Sequence, residues 1–341
     1  MLAAIPFPTW IKPEIIPGLP FRWYGLMYVV AFAATWFLYI HEARRRKTSL
    51  TEDDSAGFFF WAIIGLLVGA RLFGTLVYDS TGYYLRKPWF IIWPFDEAGA
   101  FIGFQGMSYH GGFFGVIVAT LAYAKIKRFS WLAWADIIAV SAPLGYTAGR
   151  LGNFINGELW GKVSSQPWAM IFPNAERFSA REPWVQQFAE KVGIPLASMN
   201  DLVNLPRHPS QLYEAIFEGL VLWLILWFFV RKRKAFPGFA VGVYAIGYGL
   251  ARFVIEYFRE PDAGMGYILA LGNPAAPTYV YSTPLNFSMG QLLSSSMILV
   301  GVLFLVFGRA AHRRAGLLAA AQEAQKAQAK SEARKLKKKI R

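Results

Sequence analysis

The sequence predicts an all-α polytopic membrane protein: seven transmembrane helices with a small head domain outside the membrane, the N-terminus out and the C-terminus in. Three observations carry that reading. Over 341 residues the composition is 55% hydrophobic and 17% aromatic with only 16% charged, which is too apolar for an ordinary soluble chain of this size. Several runs reach the ~20 mostly apolar residues that cross a hydrocarbon core of ~30 Å as helix. Four basic clusters then fall on one side of the implied membrane, as the positive-inside bias requires of a cytoplasmic face.

Residues 1–20 contain five prolines and read as an irregular arm, interfacial through Phe7, Trp10, Ile15 and Ile16. A basic n-region followed by a short apolar segment and a cleavage site is not seen, so the first span is expected to be an uncleaved anchor. That span runs from about Phe21 to Ile40 and stops at Glu42 and Arg44-Arg45-Arg46-Lys47. The second, about Ala56 to Tyr78, carries Gly65, Gly69 and Gly74 with Arg71 between them, and small residues four apart permit close helix contact. An outer loop, 79–109, has aromatic interfacial pieces around Trp89 to Phe95. The third span follows His110-Gly111-Gly112 to Lys125, with Lys127 and Arg128 inside. The fourth, from Trp131, passes Asp136 and Pro143 to end near Arg150.

Residues 151–210 form the one substantial polar insertion, with five Lys/Arg balanced by five acids. That balance suits a packed head, and its prolines and tryptophans argue against a disordered linker. Pro209 and Ser210 are first-turn or capping residues for the next helix. The region 211–308 holds spans five to seven: about Leu212 to Val230, ending in Arg231-Lys232-Arg233-Lys234; about Phe239 to Phe258; and about Ser288 to Phe307. The tail, 309–341, carries eleven Lys and Arg against Glu323 and Glu332. The formal charge of +14 is therefore largely local, and a polybasic helix beside anionic lipid accounts for it better than nucleic acid does. No repeat of 20–50 residues and no pair of interrupted half-helices of transporter type is visible.

With no cysteine, the chain has no disulfide, no cysteine-ligated metal and no thiol intermediate of its own, so any sulfur chemistry uses the substrate's sulfur. His41, His208 and His312 show no metal-ligand spacing, and neither a nucleophile elbow nor a P-loop is present. No cofactor or metal is expected.

The densest chemistry lies in Gly149-Arg150-Leu151-Gly152-Asn153-Phe154-Ile155-Asn156-Gly157-Glu158-Leu159-Trp160-Gly161, where a cation, a carboxylate and two amides sit among glycines at the end of an apolar helix. Ionisable residues in spans are functional candidates by default. On the sixth span Tyr248, Arg252 and Glu256 stand four apart and share a helical face. Two arginines converging near the outer leaflet make a bidentate phosphate clamp, a role that suits guanidinium geometry better than an ammonium. Asn153 and Asn156 either orient that clamp or satisfy local backbone. Glu158 either pairs with Arg150 or acts as a base or its orienter. His110 is a second candidate base, because an imidazole accepts a proton near neutral pH. Arg71 reads as structural or lipid-contacting, and Asp136 and Glu218 as lone acids meeting another helix's polar group or an interface.

These residues resemble one family, the prolipoprotein diacylglyceryl transferases of bacterial inner membranes. The Gly149–Gly161 stretch is similar to the family signature. Supporting blocks are Trp23-Tyr24-Gly25-Leu26-Met27-Tyr28, His110-Gly111-Gly112, Arg207-His208-Pro209-Ser210-Gln211-Leu212-Tyr213-Glu214, Tyr248-Gly249 with Arg252, Glu256-Tyr257-Phe258-Arg259 with Pro261-Asp262, and Ser288-Met289-Gly290-Gln291. The resemblance implies a multi-pass inner-membrane enzyme with a periplasmic head. It would transfer the diacylglyceryl group of phosphatidylglycerol to the lipobox cysteine of a prolipoprotein signal peptide, releasing glycerol phosphate. It also implies that Tyr24, His110, Arg150, Asn153, Glu158, Gly161, Arg252 and Glu256 belong to the active region. His110, Arg150, Glu158 and Arg252 are then the expected catalytic residues. Tyr24, Asn153, Asn156, Gly161, Tyr248 and Glu256 are the expected substrate-binding ones. The partners implied are phosphatidylglycerol, the signal peptide and membrane lipid, with no nucleic acid. The outer segment 263–287 is longer and more apolar than the resemblance leads one to expect. A lipid or solute transporter, a headgroup hydrolase and a structural membrane protein are the rival readings.

Overall fold

The computed structural model of the protein describes residues 4–16, 18, 21–48, 51–77, 79, 81–100, 107–233, 235–261, 266–274 and 277–339. Tyr78, Lys234 and Asp262, named above, lie outside the described residues, as do parts of the arm 1–20, the loop 79–109 and the segment 263–287.

Helices occupy all the stretches read as spans: Trp23–Arg45 (α1), Glu52–Leu76 (α2), Tyr109–Lys127 (α4), Trp131–Ile155 (α5), Ser210–Val230 (α7), Phe239–Ile255 (α8) and Met289–Lys339 (α9). Two short helices, Tyr83–Arg86 (α3) and Pro183–Val192 (α6), lie in the polar segments. Among the described residues, four helices are long and apolar enough to cross a membrane: α1, α2, α7 and α9 from Met289 to Gln328, with α8 apolar but shorter. The polar segments add short strands to the helical class. Ile5–Pro6 (β1) runs parallel to Met170–Ile171 (β2), Phe178–Ser179 (β3) antiparallel to Leu202–Val203 (β4), and Tyr267–Ala270 (β5) antiparallel to Asn286–Ser288 (β6). Buried backbone outside helices must find partners, and these ladders supply them.

The chain divides into two compact units, Ile40–Trp134 and the remainder, Met1–Tyr39 with Ala135–Arg341. In the smaller unit α2 and α4 meet through glycine. A Cβ on Gly65 would strike the Gly115 carbonyl, and one on Gly69 would come within 2.7 Å of Gly115 Cα. The backbones touch because neither side carries a side chain there. Thr51 and Asp54 form a reciprocal capping box at the start of α2, and Lys127 reaches Asp54 at 2.7 Å. Arg71 is buried and donates to the carbonyls of Phe90 and Ile91, both at 2.7 Å. It is thus a structural tie between α2 and the aromatic turn at Phe90 and Ile91. Glu42 is fully buried under Arg45 and Arg46, at 2.6 and 2.8 Å.

In the larger unit the lone acid Asp136 has an assignment. Its carboxylate accepts the backbone N–H of Gly238 at 2.9 Å and of Val241 at 3.0 Å, so a side chain from α5 caps the first turn of α8. Gly219 of α7 lies against Thr147 of α5, and Gly242 and Gly249 of α8 lie against Gly301 and Ser294 of α9. Helix α7 is wound wider than an α-helix, with i→i+5 bonding over Glu214–Val221 and Leu226–Val230. Such widening is rare and concentrates at functional sites.

The head has its own core of Val163, Phe178, Ala180, Val185, Ala189, Val203 and Leu205, with Tyr279 and Val280 packed against it. That core draws on residues beyond 155 and on the segment before α9, while the arm joins through the pairing of β1 with β2. Helix α5 continues through Ile155, so the first residues of the expected insertion 151–210 are helical. The tail continues α9 to Lys339, as its Ala, Lys, Gln and Glu content favours.

Candidate active site

Three helices of the larger unit each bring polar side chains at helical spacing to one place: Tyr146, Arg150 and Asn153 from α5, Glu214 and Glu218 from α7, and Tyr248, Arg252 and Glu256 from α8 and its C-terminal cap. Their centre is the Glu214 carboxylate, which has no exposed surface. Arg150 Nε lies 2.9 Å and Arg252 Nη1 3.2 Å from its Oε2, and Arg259 Nη1 lies 3.3 Å from Oε1. Glu218, also sealed, accepts a short hydrogen bond from the Tyr146 hydroxyl and stands 3.7 Å from Arg252 Nη1. Arg252 Nη2 pairs with Glu256 Oε2 at 3.1 Å, and Ser288 Oγ donates to Glu256 Oε1 at 3.0 Å. Gly290 is required beside it, since a Cβ there would lie 2.5 Å from Glu256 Oε1.

Three guanidiniums thus face three carboxylates, and the mutual compensation is what makes so many buried ions tolerable. Their accessibility differs. The side chains of Arg150 and Arg252 keep 19% and 15% of their surface exposed, while Glu214 and Glu218 keep none. An anion approaching the cluster therefore meets guanidinium edges before it meets carboxylate. This is the arrangement a phosphate site needs.

At the end of α5 the chain turns sharply. Gly157 and Leu159 have positive φ, 64° and 57°, and the residue between them, Glu158, points its carboxylate back to accept Asn153 Nδ2 at 2.8 Å. Asn153 Oδ1 in turn lies 3.5 Å from Arg150 Nη1, and Asn153 also interacts with the Tyr24 hydroxyl, which bonds Tyr28 at 2.8 Å. Glu158, Asn153 and Arg150 form one linked chain, so the direct Glu158–Arg150 pairing weighed from sequence is replaced by an indirect one. Tyr248 stacks edge-on against Tyr146 at 5.8 Å.

Asn156 sits in the last turn before Gly157, half-buried, its N–H bonded to Gly152 O at 3.0 Å. Both backbone groups of Gly161 are engaged within the protein. Its N–H donates to His208 O at 2.8 Å and its carbonyl accepts from Arg207 Nη1 at 3.4 Å, while a Cβ would lie 2.9 Å from His208 Cβ. A close backbone approach is thus what the glycine provides. Every residue named from sequence as a site candidate belongs to the larger unit except His110. That histidine lies in the first turn of α4, exposed, where Ser108 caps the helix through Gly111 N at 3.2 Å.

Buried ionisable groups also lie between α5 and α7. Burial holds His208 down at about 4 and Lys162 at about 8, the latter donating to Tyr257 O at 3.1 Å. Arg207 is fully buried and pairs with Glu260 at 2.5 Å.

Sequence reasoning left Glu214, Arg259 and Tyr146 without a role and read Glu218 as a lone acid. A signal was present: Glu214 and Glu218 stand four apart in an apolar run, a pairing that is costly unless cations from other helices meet it.

Residues 13–307 match the family described as prolipoprotein diacylglyceryl transferase. A protein of Treponema denticola named phosphatidylglycerol–prolipoprotein diacylglyceryl transferase is 52% identical, over 89% of this chain and 94% of its own length. Proteins of the same name from Treponema pallidum and Chlorobaculum tepidum are 48% and 38% identical, covering 88% and 89% of this chain and 94% and 91% of their own.

Proposed function

The chain belongs to the prolipoprotein diacylglyceryl transferase family, and we infer from that membership and from the arginine cluster that it transfers the diacylglyceryl group of phosphatidylglycerol to the thiol of a prolipoprotein's lipobox cysteine. This is the first step of lipoprotein lipidation. The thiol, with an ordinary pKa near ~8.5, gives its proton to a base and becomes a nucleophile. The thiolate sulfur attacks the sn-3 carbon of the lipid glycerol and a C–S bond forms. The C–O bond to phosphate breaks, and the electron pair leaves with the oxygen as glycerol phosphate.

Charge develops on the leaving phosphate, and Arg150 and Arg252 stabilise it. The single observation that carries this assignment is their convergence, from helices about a hundred residues apart in sequence, with accessible guanidinium edges above sealed carboxylates. Preorganised donors of this kind are worth on the order of 3–4 kcal/mol each where one has been removed. Glu158 and His110 are the candidate bases. Glu158 is linked through Asn153 to the clamp, and His110 stands exposed in the first turn of α4. Tyr24, Asn153, Asn156, Gly161, Tyr248 and Glu256 serve substrate binding, directly or by shaping the clamp and its turn. The enzyme is multi-pass in a bacterial inner membrane, with seven spans, the head outside and the basic tail inside.

The experiment is reconstitution with phosphatidylglycerol and a lipobox peptide, followed by mass spectrometry. The native protein is expected to yield the thioether and glycerol phosphate. Arg150→Lys and Arg252→Lys are expected to fold and to lose at least about a hundredfold in turnover, because a point charge replaces a planar fork. Cargo movement without bond cleavage would instead mark a transporter, and headgroup release without the peptide a hydrolase. Near-native turnover in both lysine variants would end the clamp reading.

A further inference from the structure

The block Arg207-His208-Pro209-Ser210-Gln211 lies outside the arginine cluster, yet it holds the turn that carries Glu158. Gln211 Nε2 donates to the Glu158 carbonyl at 2.5 Å, Ser210 Oγ to the Leu159 carbonyl at 3.0 Å, and Arg207 Nη1 to the Gly161 carbonyl at 3.4 Å. The carbonyl of His208 takes the Gly161 N–H at 2.8 Å. The turn needs such support. Leu159 is a non-glycine residue at φ 57°, a left-handed conformation that persists only where its surroundings over-determine it.

Gln211 is fully buried, and its Oε1 has no hydrogen-bond partner among the described residues. Only one orientation of the amide presents a donor to the Glu158 carbonyl. That orientation strands the acceptor, which is an expensive thing to leave unmade in a buried place. Three residues further along α7 stands Glu214, the carboxylate on which Arg150 rests. The start of α7 therefore holds Arg150 from both ends: through Gln211, Glu158 and Asn153 on one side, and through Glu214 on the other.

We propose that Gln211, assisted by Ser210, is a positioning residue that braces the Glu158–Leu159 turn and so fixes the Glu158–Asn153–Arg150 chain in its reactive orientation. The inference rests on the transferase reading of that chain. Gln211 acts through the backbone it holds and touches no reacting atom.

Gln211→Met keeps the length of the side chain and removes the donor. Its kcat for thioether formation is expected to fall by about tenfold to a hundredfold, the scale of a small misplacement at a reacting centre. KM for lipid and for peptide should stay within about twofold, and the melting midpoint in detergent should be preserved. Gln211→Glu is expected to regain activity, relative to the native protein at each pH, as the pH is lowered and a protonated carboxyl again donates to the Glu158 carbonyl. A native kcat in Gln211→Met, or a Gln211→Glu defect that acid does not relieve, overturns the proposal. Should Gln211→Met fail to fold, Ser210→Ala carries the same test with almost no change in volume: a reduced kcat at unchanged KM supports the brace, and an unchanged kcat overturns it. Glu158→Gln separates the brace from the role of the carboxylate. If Glu158→Gln turns over normally while Gln211→Met is slow, the brace stands and serves Asn153 and Arg150.

Discussion

Glu214 has no exposed surface and three guanidiniums within 3.3 Å, so its removal leaves buried cations facing one another. Breaking a buried ion pair from one side costs about 3–5 kcal/mol, because the partner's charge stays behind. Glu214→Ala is expected to lose about that much stability, read as a lower melting midpoint in detergent, and to lose turnover with it, since Arg150 and Arg252 share this support. A variant with native melting and native turnover would show that the arginines are held by something else. The arginines themselves were legible, because a cation in an apolar run is conspicuous and helical spacing placed Arg252 with Glu256. The carboxylate between them was not. Nothing in a linear sequence says that positions 150, 214, 252 and 259 share one point, and Glu214 closes a block in which only Pro209 and Ser210 carried a local structural signal. Gly161 shows a second, structural demand on a signature residue. Its place in the signature suggests substrate binding, and its geometry adds a close passage between His208 and Phe258 that no linear spacing announces.

At the scale of elements, the long helices were readable because apolar runs of helix length admit few other solutions, whereas their ends were not. Helix α5 runs five residues past the expected border and carries half of the signature as helix. Asp136 looked solitary because its partners are backbone N–H groups of a helix a hundred residues later. The head was the least legible part, since its core takes residues from segments separated by more than a hundred positions. The burial of His208 carries a pH consequence. His208 packs against Phe258, faces the Tyr213 hydroxyl at 3.1 Å and feels the Lys162 ammonium; burial and that ammonium hold it neutral down to about 4. The unfolded chain binds this proton near 6.5, so between 6.5 and 4 it holds more protons than the folded one. Stability therefore falls as the pH drops through that window, by at most about 3 kcal/mol, and does not change further below it. Melting midpoints measured from pH 7 to 4 should show this slope in the native protein and a shallower one in His208→Gln. Equal slopes would place the acid sensitivity elsewhere.

For the molecule as a whole, the question the helices pose is one of parity. Seven spans put the two ends of the chain on opposite sides of the membrane, whereas crossing by only the four helices that meet both length and hydropathy would return them to the same side. The positive-inside bias favours the first arrangement, because the clusters at Arg44–Lys47, Lys127–Arg128, Arg231–Arg233 and Arg309–Arg314 all then face the cytoplasm. Helix α5 falls short of a free-standing span for a reason visible in the fold: Asp136 and Arg150 lower its hydropathy, and they are met inside the protein by a helix cap and by a carboxylate, while α8 is apolar but short. A span whose polar groups are met internally need not be apolar to cross. The absence of native cysteine makes the test direct. Single variants Trp10→Cys, Glu97→Cys and Lys191→Cys should react with a membrane-impermeant maleimide in spheroplasts. Lys47→Cys, Arg233→Cys and Arg313→Cys should react only after the membrane is opened. Labelling of Trp10→Cys and Arg313→Cys from the same side would require an even number of crossings, and would leave the arginine cluster without the outward-facing leaflet on which its proposed chemistry depends.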